Sequence, residues 1–261
     1  MLNRVKECYS QEKLAIGSYI TFPAPAVIEV AAQSGLDFVR LDTYHYGFFN
    51  PETLENMIRT AYSYNVTPWV RLRNDPWLIG MTLEMGAQAI TIPNCSSAAE
   101  ARAAVSAVFY PPKGKREMSR GFRFQAMTLA EYREWASTQV ILSCMIEGME
   151  GLENYREIIA VDGVDVIQVG LSDLSQAVGV PGAKNDPKVL EAEKRVIMTA
   201  LEAGKQVSIV HPNTPQGIER TQRWVEQGVR IVVLEKESRI LGREYSVATK
   251  SLRNLSDSAV K

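Results

Sequence analysis

Several residues whose side chains can carry out chemistry follow directly after short, largely apolar runs. Asp42 and His45 follow "FVRL", Arg71 follows "PWV", Glu147 follows "SCMI" and Asp173 follows "VGLS". A charge at the inner end of a buried strand is costly unless it has a partner or a task. The pattern therefore predicts that these polar groups converge on one site.

The types of these side chains favour chemistry on an enolate. The carboxylates of Glu147 and Asp173 are hard oxygen ligands for a divalent cation such as Mg²⁺ or Mn²⁺, and they leave coordination positions for water and substrate. Arg71 is a permanent, forked cation that can hold a carboxylate or an enolate oxygen. His45, three residues after Asp42, can act as a base whose tautomer or charge that carboxylate sets.

Each of these residues also has an ordinary structural explanation. A lone carboxylate at a strand end often caps a helix or forms an ion pair, and His45 alone resembles a satisfied structural histidine. His211, in "IVHPN", is expected to make a loop hydrogen bond rather than to contact substrate. Cys95 and Cys144 lie in strand-like runs and are expected in the core. The functional hypothesis depends on the joint pattern.

The elements that would position such a site alternate along the whole chain. Segments of helical period, such as residues 51–64 with Leu54, Ile58 and Ala61 on one stripe, separate eight apolar runs typical of parallel strands. These runs are "AIGSYITF", "FVRLD", "PWVRLR", "AITIPN", "VILSCMIEG", "VDVIQVG", "QVSIVH" and "IVVLE". The alternation predicts an α/β fold, a (β/α)8 TIM barrel that forms one domain over residues 1–261, with its site at the C-terminal ends of the strands.

The composition limits the classes of function. The 261 residues carry a formal net charge of −1, so the basic field of a nucleic-acid binder is missing and a small molecule is the expected partner. Three scattered cysteines form neither a disulfide framework nor a zinc motif. No signal peptide or long apolar stretch is found. We therefore expect a cytoplasmic protein that binds neither nucleic acid nor membrane.

The longest irregular stretch, residues 110–127, is rich in lysine and arginine and joins the fourth unit to the fifth. A lid, a subunit contact and a solvated surface loop are all compatible with this composition, because runs of charge usually lie on the surface.

Five segments match the motifs of one known family over nearly the whole chain. They are "GLDFVRLDTYHYGFF", "PWVRLRNDP", "LEMGAQAITIPNCSSAAEARAAVSAVFYPPKGKR", "MIEGMEGLEN" and "GVDVIQVGLSDLSQAVGVPG". In these segments the chain resembles the metal-dependent (class II) pyruvate aldolases of the HpcH/HpaI type, which include 4-hydroxy-2-oxo-heptanedioate and 2-keto-3-deoxy sugar acid aldolases. The last two segments are the most specific.

The resemblance implies cleavage of a 4-hydroxy-2-oxo acid to pyruvate and an aldehyde, or the reverse addition, with Mg²⁺, Mn²⁺ or Co²⁺ as cofactor. It implies that Glu147 and Asp173 bind the metal, that Arg71 polarises the pyruvate carbonyl, and that His45, assisted by Asp42, transfers a proton. The residues implied to contact substrate are Arg71, Gly170, Ser172 and Asp173. It also implies a homo-oligomer, commonly a hexamer built as a trimer of dimers, whose last helix swaps between subunits.

The sequence departs from the family pattern around the implied site. Tyr44 stands where glutamate is usual, Met145 where glutamine is frequent, Gly148 where threonine is frequent, Leu171 where proline is usual and Ser172 where alanine is usual. The implied metal ligands and Arg71 are retained. Recognition of pyruvate is therefore expected to be kept, whereas recognition of the aldehyde is not carried over.

Two alternatives to the metal-dependent aldolase stay open. Lys236, at the end of the last strand, could form a Schiff base with a carbonyl substrate. The departures at Tyr44 and Met145 could also mark a barrel that binds a 2-oxo acid without turning it over. The aromatic side chains after the second strand suggest a rather apolar wall for the aldehyde; they are Tyr44, Tyr46, Phe48 and Phe49.

Overall fold

The structure, a computed structural model, describes residues 2–46 and 50–259, the last four of these as backbone alone. The described residues form eight parallel strands that close into a barrel in chain order. The strands are β1 (Ala15–Ile20), β2 (Phe38–Asp42), β3 (Thr67–Arg71), β4 (Ala89–Ile92), β5 (Ile141–Ile146), β6 (Val166–Val169), β7 (Gln206–His211) and β8 (Ile231–Leu234). The predicted (β/α)8 barrel is confirmed, and the assignment of residues 1–261 to one domain stays a prediction.

Helices follow each strand and cover the outside of the barrel. They are α1 (Arg4–Ser10), α2 (Pro25–Gln33), α3 (Pro51–Ser63), α4 (Pro76–Met85), α5 (Ala98–Val108), α6 (Leu129–Gln139), α7 (Met149–Glu153), α8 (Tyr155–Ile159), α9 (Leu171–Ala177), α10 (Pro187–Glu202), α11 (Pro215–Glu226) and α12 (Glu237–Ala259). A 3₁₀ turn, Phe122–Phe124, precedes α6. None of the helices in this described part combines the length and apolar character needed to cross a bilayer.

Helix α1 precedes the first strand and closes the N-terminal end of the barrel. Its Val5 and Cys8 pack with side chains from inside the barrel. The Asn3 side chain donates to the backbone carbonyls of Gln88 (3.0 Å) and Gln139 (2.7 Å), which lie just before β4 and β5. Access to the barrel is therefore left at the opposite end, where the strands terminate.

Several helices begin where a capping side chain precedes a proline. The pairs are Asn50–Pro51, Asp75–Pro76, Asp186–Pro187 and Thr214–Pro215. The cap accepts hydrogen bonds from N–H groups that the first turn leaves free, and a proline in that turn loses no helical hydrogen bond. Because α3, α4 and α11 directly follow strands, these sequence signals fix the lengths of the loops that border the open end.

The amphipathic pattern correctly identifies the faces of the covering helices. Leu54, Ile58 and Ala61 of α3 are all buried. Cys95 and Cys144 are buried as well, and both are free thiols. Burial of apolar area in this layer between strands and helices is the main favourable term that holds the barrel together.

The inside of the barrel holds a buried cation. Arg40 of β2 is fully buried, and its guanidinium carbon lies 4.1 Å from the ring centroid of Trp69 and 5.3 Å from that of Tyr19. The guanidinium donates to Gln168 Oε1 and, at 3.2 Å, to Ser208 Oγ. Aromatic faces and neutral acceptors therefore solvate this charge.

The irregular stretch of residues 110–127 is anchored by one arginine. The Arg116 side chain is 6% exposed, and its guanidinium carbon lies 4.9 Å from the ring centroid of Tyr110. Its Nη2 donates to the Tyr132 hydroxyl of α6 at 3.1 Å. The neighbouring Lys115 is exposed, as expected of a solvated loop. The stretch thus combines a solvated surface with a buried attachment point.

We predict that Arg116→Ala lowers the free energy of unfolding by about 2 kcal/mol, because it removes stacking on Tyr110 and leaves the Tyr132 hydroxyl without its donor. Urea denaturation followed by circular dichroism measures this change. Lys115→Ala is the matched control, and its effect should stay below about 0.5 kcal/mol because the side chain is exposed. Equal effects of the two substitutions would show that Arg116 does not anchor the stretch.

Candidate active site

A cavity of about 650 Å³ opens at the C-terminal end of the barrel. Six residues predicted from the sequence line it, and they are His45, Arg71, Glu147, Gly170, Ser172 and Asp173. They follow or end four different strands, β2, β3, β5 and β6. Asp42 lies just outside the lining and is fully buried. The closed barrel thus brings together side chains that are far apart in sequence.

Asp42 and Arg71 form a buried ion pair at the ends of neighbouring strands. The two residues are register partners in β2 and β3, and Arg71 Nε lies 3.2 Å from Asp42 Oδ1. The same oxygen accepts from the backbone N–H groups of Tyr44 (3.2 Å) and His45 (3.3 Å). Asp42 therefore contacts the His45 backbone and the Arg71 side chain. Of the two effects on His45 expected from the sequence, on its tautomer or on its charge, the contacts of Asp42 include only an electrostatic effect on the imidazole.

Arg71 keeps part of its guanidinium available to a ligand. The residue is 6% exposed, and its buried Nη2 has no hydrogen-bond partner among the described residues. Nη1 has only the weak acceptor Met145 Sδ at 3.9 Å. Burial alone would lower the pKa of Arg71. Attraction to nearby groups, chiefly the Asp42 carboxylate, outweighs this effect, so the pKa of Arg71 is raised. The cation is therefore permanent, and neither Nη1 nor Nη2 has a strong hydrogen-bond acceptor among the described residues.

His45 lies at the entrance, with its side chain exposed. Its ring meets the Tyr44 ring edge-on, with centroids 4.8 Å apart. The pKa of His45 is lowered by partial burial and then by the Arg71 cation, while the carboxylates of Asp42 and Asp173 act in the opposite direction. The imidazole is consequently neutral at pH 7 and able to accept a proton.

Glu147 and Asp173 form a carboxylate pair on the wall of the cavity. Glu147, directly after β5, is 4% exposed, and its Oε1 accepts from the Asn94 backbone N–H at 2.9 Å. Burial raises the pKa of Glu147 to about 7, and the adjacent Asp173 also raises it against the opposing effect of Arg71. Asp173 is in the first turn of α9 and is exposed.

The carboxylate pair fits a hard divalent cation. Burial and the neighbouring carboxylate both disfavour the ionised form of Glu147, and a bound cation would stabilise that form. In the described ranges, no three His, Cys, Asp or Glu side chains form a metal-binding group. Two protein carboxylates, with the remaining positions left to water and substrate, match the way Mg²⁺ is commonly held.

Gly170 allows Glu147 to reach the cavity. A Cβ atom at Gly170 would overlap Glu147 Oε2 and would lie 2.7 Å from Glu147 Cβ. At Gly148 a Cβ would lie 2.7 Å from Asn94 Oδ1, on the residue whose N–H binds Glu147. Both glycines therefore keep space around the buried carboxylate. Ser172, the neighbour of Asp173, is exposed and lines the cavity.

The other residues considered from the sequence have different surroundings. His211 Nδ1 lies 2.6 Å from Thr221 Oγ1 in α11, so its hydrogen bond is to a helix rather than to the loop that was expected. Lys236 does line the cavity, and its Nζ donates to the Tyr46 hydroxyl at 2.7 Å. The aromatic residues Phe48 and Phe49 lie outside the described residues.

Sequence reasoning missed several residues that line the cavity. Tyr19 is an inner residue of β1, and its hydroxyl accepts from Gln168 Nε2 at 3.0 Å. Lys184 and Arg239 belong to the segments that follow β6 and β8. The apolar runs gave no signal for them, because Tyr19 resembles a core residue and the two cations resemble ordinary surface residues.

Comparison with known proteins identifies the family of the chain. The family model described as HpcH/HpaI aldolase/citrate lyase matches residues 16–235. A hydroxypyruvate/pyruvate aldolase of Pseudomonas aeruginosa is 32% identical, covering 97% of this chain and 91% of that protein. A 4-hydroxy-2-oxo-heptane-1,7-dioate aldolase of Shigella sonnei is 29% identical over 93% of this chain and 92% of its own. The crystal structure of citrate synthase SbnG superposes with a TM-score of 0.87 at 28% identity, covering 97% and 98% of the two chains. The chain therefore belongs to the HpcH/HpaI aldolase/citrate lyase family.

Proposed function

We propose that the protein is a metal-dependent aldolase that cleaves a 4-hydroxy-2-oxo acid to pyruvate and an aldehyde, and catalyses the reverse addition. The observation that carries this proposal is the buried carboxylate of Glu147, paired with Asp173, in the same cavity as the unpartnered Nη2 of Arg71. Relatives named pyruvate aldolase and 4-hydroxy-2-oxo-heptane-1,7-dioate aldolase support it.

Glu147 and Asp173 would hold the cation, which is Mg²⁺, Mn²⁺ or Co²⁺. When bound, the ion supplies Lewis-acid stabilisation of the negative charge that develops on the oxygens of the 2-oxo acid. Arg71 donates an N–H group to the oxygen that becomes the enolate oxygen, and Asp42 keeps the guanidinium in place. Gly170, Ser172 and Asp173 border the bound 2-oxo acid.

His45 acts as the base of the cleavage direction. Its neutral imidazole accepts the proton of the C4 hydroxyl, the C3–C4 bond breaks, and C4 becomes the carbonyl carbon of the aldehyde. The electron pair of the broken bond passes to the pyruvate enolate, whose oxygen Arg71 stabilises. Protonation at C3 then gives pyruvate, and the addition direction reverses these steps.

The partners and location stay part of the proposal. We propose a cytoplasmic homo-oligomer, in line with the hexamer and swapped last helix that the family resemblance implies. Helix α12 exposes several large apolar side chains that an oligomer would cover, namely Leu241, Tyr245, Val247, Leu252 and Leu255. Sedimentation velocity gives the number of subunits, and a monomer at micromolar concentration would contradict this part of the proposal.

The first test is exchange of the pyruvate methyl protons in D₂O, followed by NMR without any aldehyde. We predict exchange that stops when metal is removed and returns with Mg²⁺, Mn²⁺ or Co²⁺. Glu147→Gln should slow it by at least about 10²-fold, because one ligand carboxylate and its charge are lost. Glu150→Gln, at an exposed position in α7, is the matched control and should exchange normally.

Two results of this experiment would contradict the proposal. Exchange that persists in EDTA, together with borohydride trapping of pyruvate on Lys236, would favour a Schiff-base aldolase. Oxalate binding without any exchange would favour a barrel that binds 2-oxo acids without turnover.

A second prediction concerns the space that Gly170 leaves. Gly170→Ala should weaken Mn²⁺ binding, measured by isothermal titration calorimetry, by about 10- to 100-fold, because the added methyl group displaces the Glu147 carboxylate. Gly80→Ala is the control, since a Cβ at this position in α4 meets no atom within 4 Å. Unchanged Mn²⁺ affinity in Gly170→Ala would exclude Glu147 as the ligand.

The two histidines provide a matched pair for the proton-transfer role. His45→Gln should lower kcat for cleavage by about 10²- to 10⁴-fold, which is the usual contribution of a general base. His211→Gln should leave kcat within about threefold, because His211 contacts Thr221 rather than the cavity. Steady-state cleavage assays check this, and similar losses in both variants would remove His45 from the mechanism.

A further inference from the structure

One side of the cavity carries a group of cations that the proposed reaction does not use. This cationic rim consists of Lys184, between α9 and α10, with Lys236 and Arg239 after β8. Arg71 ends β3, which lies four strands from β7 in the closed barrel of eight strands. Lys184 follows β6 and the other two follow β8, so the rim flanks β7. Lys184 and Arg239 therefore belong to segments across the mouth of the barrel from β3, whereas Lys236 reaches Tyr46 in the loop after β2.

Several of the nearby carboxylates are already occupied. Glu193 pairs with Arg220, and Glu235 pairs with Arg243 at 2.6 Å. The Asp186 carboxylate caps α10 by accepting from the Lys188 backbone N–H at 2.9 Å. Among the described carboxylates that line this side, Asp173, the proposed metal ligand, forms no ion pair, and it and Glu235 are the carboxylates that attract Lys184.

The rim cations themselves lack anionic partners. Within the described ranges, neither Lys184 nor Arg239 forms an ion pair, and Lys236 donates to the neutral Tyr46 hydroxyl. Lys184 is half-buried, and burial lowers its pKa first; Arg239 and Lys236 lower it further against the opposing effect of Asp173 and Glu235. The cations thus repel one another in a partly desolvated place. An anion bound there would relieve this repulsion and gain charge-assisted hydrogen bonds.

We propose that Lys184 and Arg239, assisted by Lys236, bind an anionic group, a carboxylate or a phosphate, at the far end of the aldehyde. The inference rests on the proposed aldolase function, because it assumes that Arg71 and the metal ligands hold the 2-oxo acid end. The substrate then spans the cavity between two positive sites. The aromatic residues after β2 suggested an apolar wall, but Tyr46 accepts from Lys236, so a rim cation contacts this wall.

The test compares aldehydes that differ in charge. Pyruvate addition is measured with glyceraldehyde 3-phosphate against glyceraldehyde, and with succinic semialdehyde against butanal. The native protein should prefer the charged member of at least one pair by about tenfold or more in kcat/KM. Lys184→Gln and Arg239→Gln should each reduce that ratio by about tenfold, whereas Lys188→Gln, an exposed control four residues away, should keep it. The pair with the larger ratio distinguishes phosphate from carboxylate.

A native protein without preference for either charged aldehyde, or ratios equal in all variants, would overturn the inference. The D₂O exchange of pyruvate separates this failure from failure of the proposed function, because exchange requires no aldehyde and no rim. If exchange itself is absent, calorimetric titration with inorganic phosphate and with succinate still tests the rim. The proposed anion site is supported if the binding of one anion weakens about tenfold in Lys184→Gln and in Arg239→Gln but not in Lys188→Gln. Unchanged binding in all three variants rejects the site.

Discussion

The buried ion pair between Asp42 and Arg71 is the interaction on which the site depends. Strand pairing alone makes the two residues neighbours, because they are register partners at the ends of β2 and β3. Placing both charges out of water is costly, and their mutual attraction offsets the cost only when other polar groups are satisfied. Asp42 meets this condition in part: its Oδ1 accepts from the backbone of the turn that carries His45, while its buried Oδ2 has no hydrogen-bond partner among the described residues. One carboxylate thereby positions both a cation and a base.

The site divides between strand ends and loops. Arg71 ends β3 and Glu147 directly follows β5, so the register of the barrel strands fixes their positions. Gly170 leaves room for the Glu147 side chain. Lys184 and Arg239 belong to segments beyond the strands. Groups on rigid strands suit the part of the reaction that needs fixed geometry, whereas loops tolerate change. The aldehyde half of the proposed substrate is thus expected to meet the part of the site that loops carry.

The sequence predicts the barrel well, because strands buried on both faces need continuous apolar runs and helices over them need a stripe. It also predicts six of the residues that line the cavity, since a polar residue is conspicuous where an apolar run ends. It does not predict partners in space. Asp42 precedes His45 by three residues, and this spacing suggested an effect on the imidazole. The strand register instead places the Asp42 side chain beside Arg71. Spacing along the chain does not reveal pairing across a sheet.

Buried charges were equally invisible in the sequence. Arg116 lies in a run of charged residues that is typical of a solvated loop. Its burial depends on contacts with Tyr110 and Tyr132. Arg40 occupies a strand position like those of its apolar neighbours, and only the closed barrel surrounds it with aromatic rings.

The position of Arg40 has a consequence for how the site responds to its surroundings. Its guanidinium stays charged across the physiological pH range, and the fully buried side chain is out of reach of counterions. It therefore provides a constant positive potential beneath the cavity, which neither ionic strength nor pH can switch off. Salt screens the exposed charges at the mouth of the cavity. The electrostatic field of the buried Arg40 is therefore constant, whereas the field of the exposed charges depends on salt concentration.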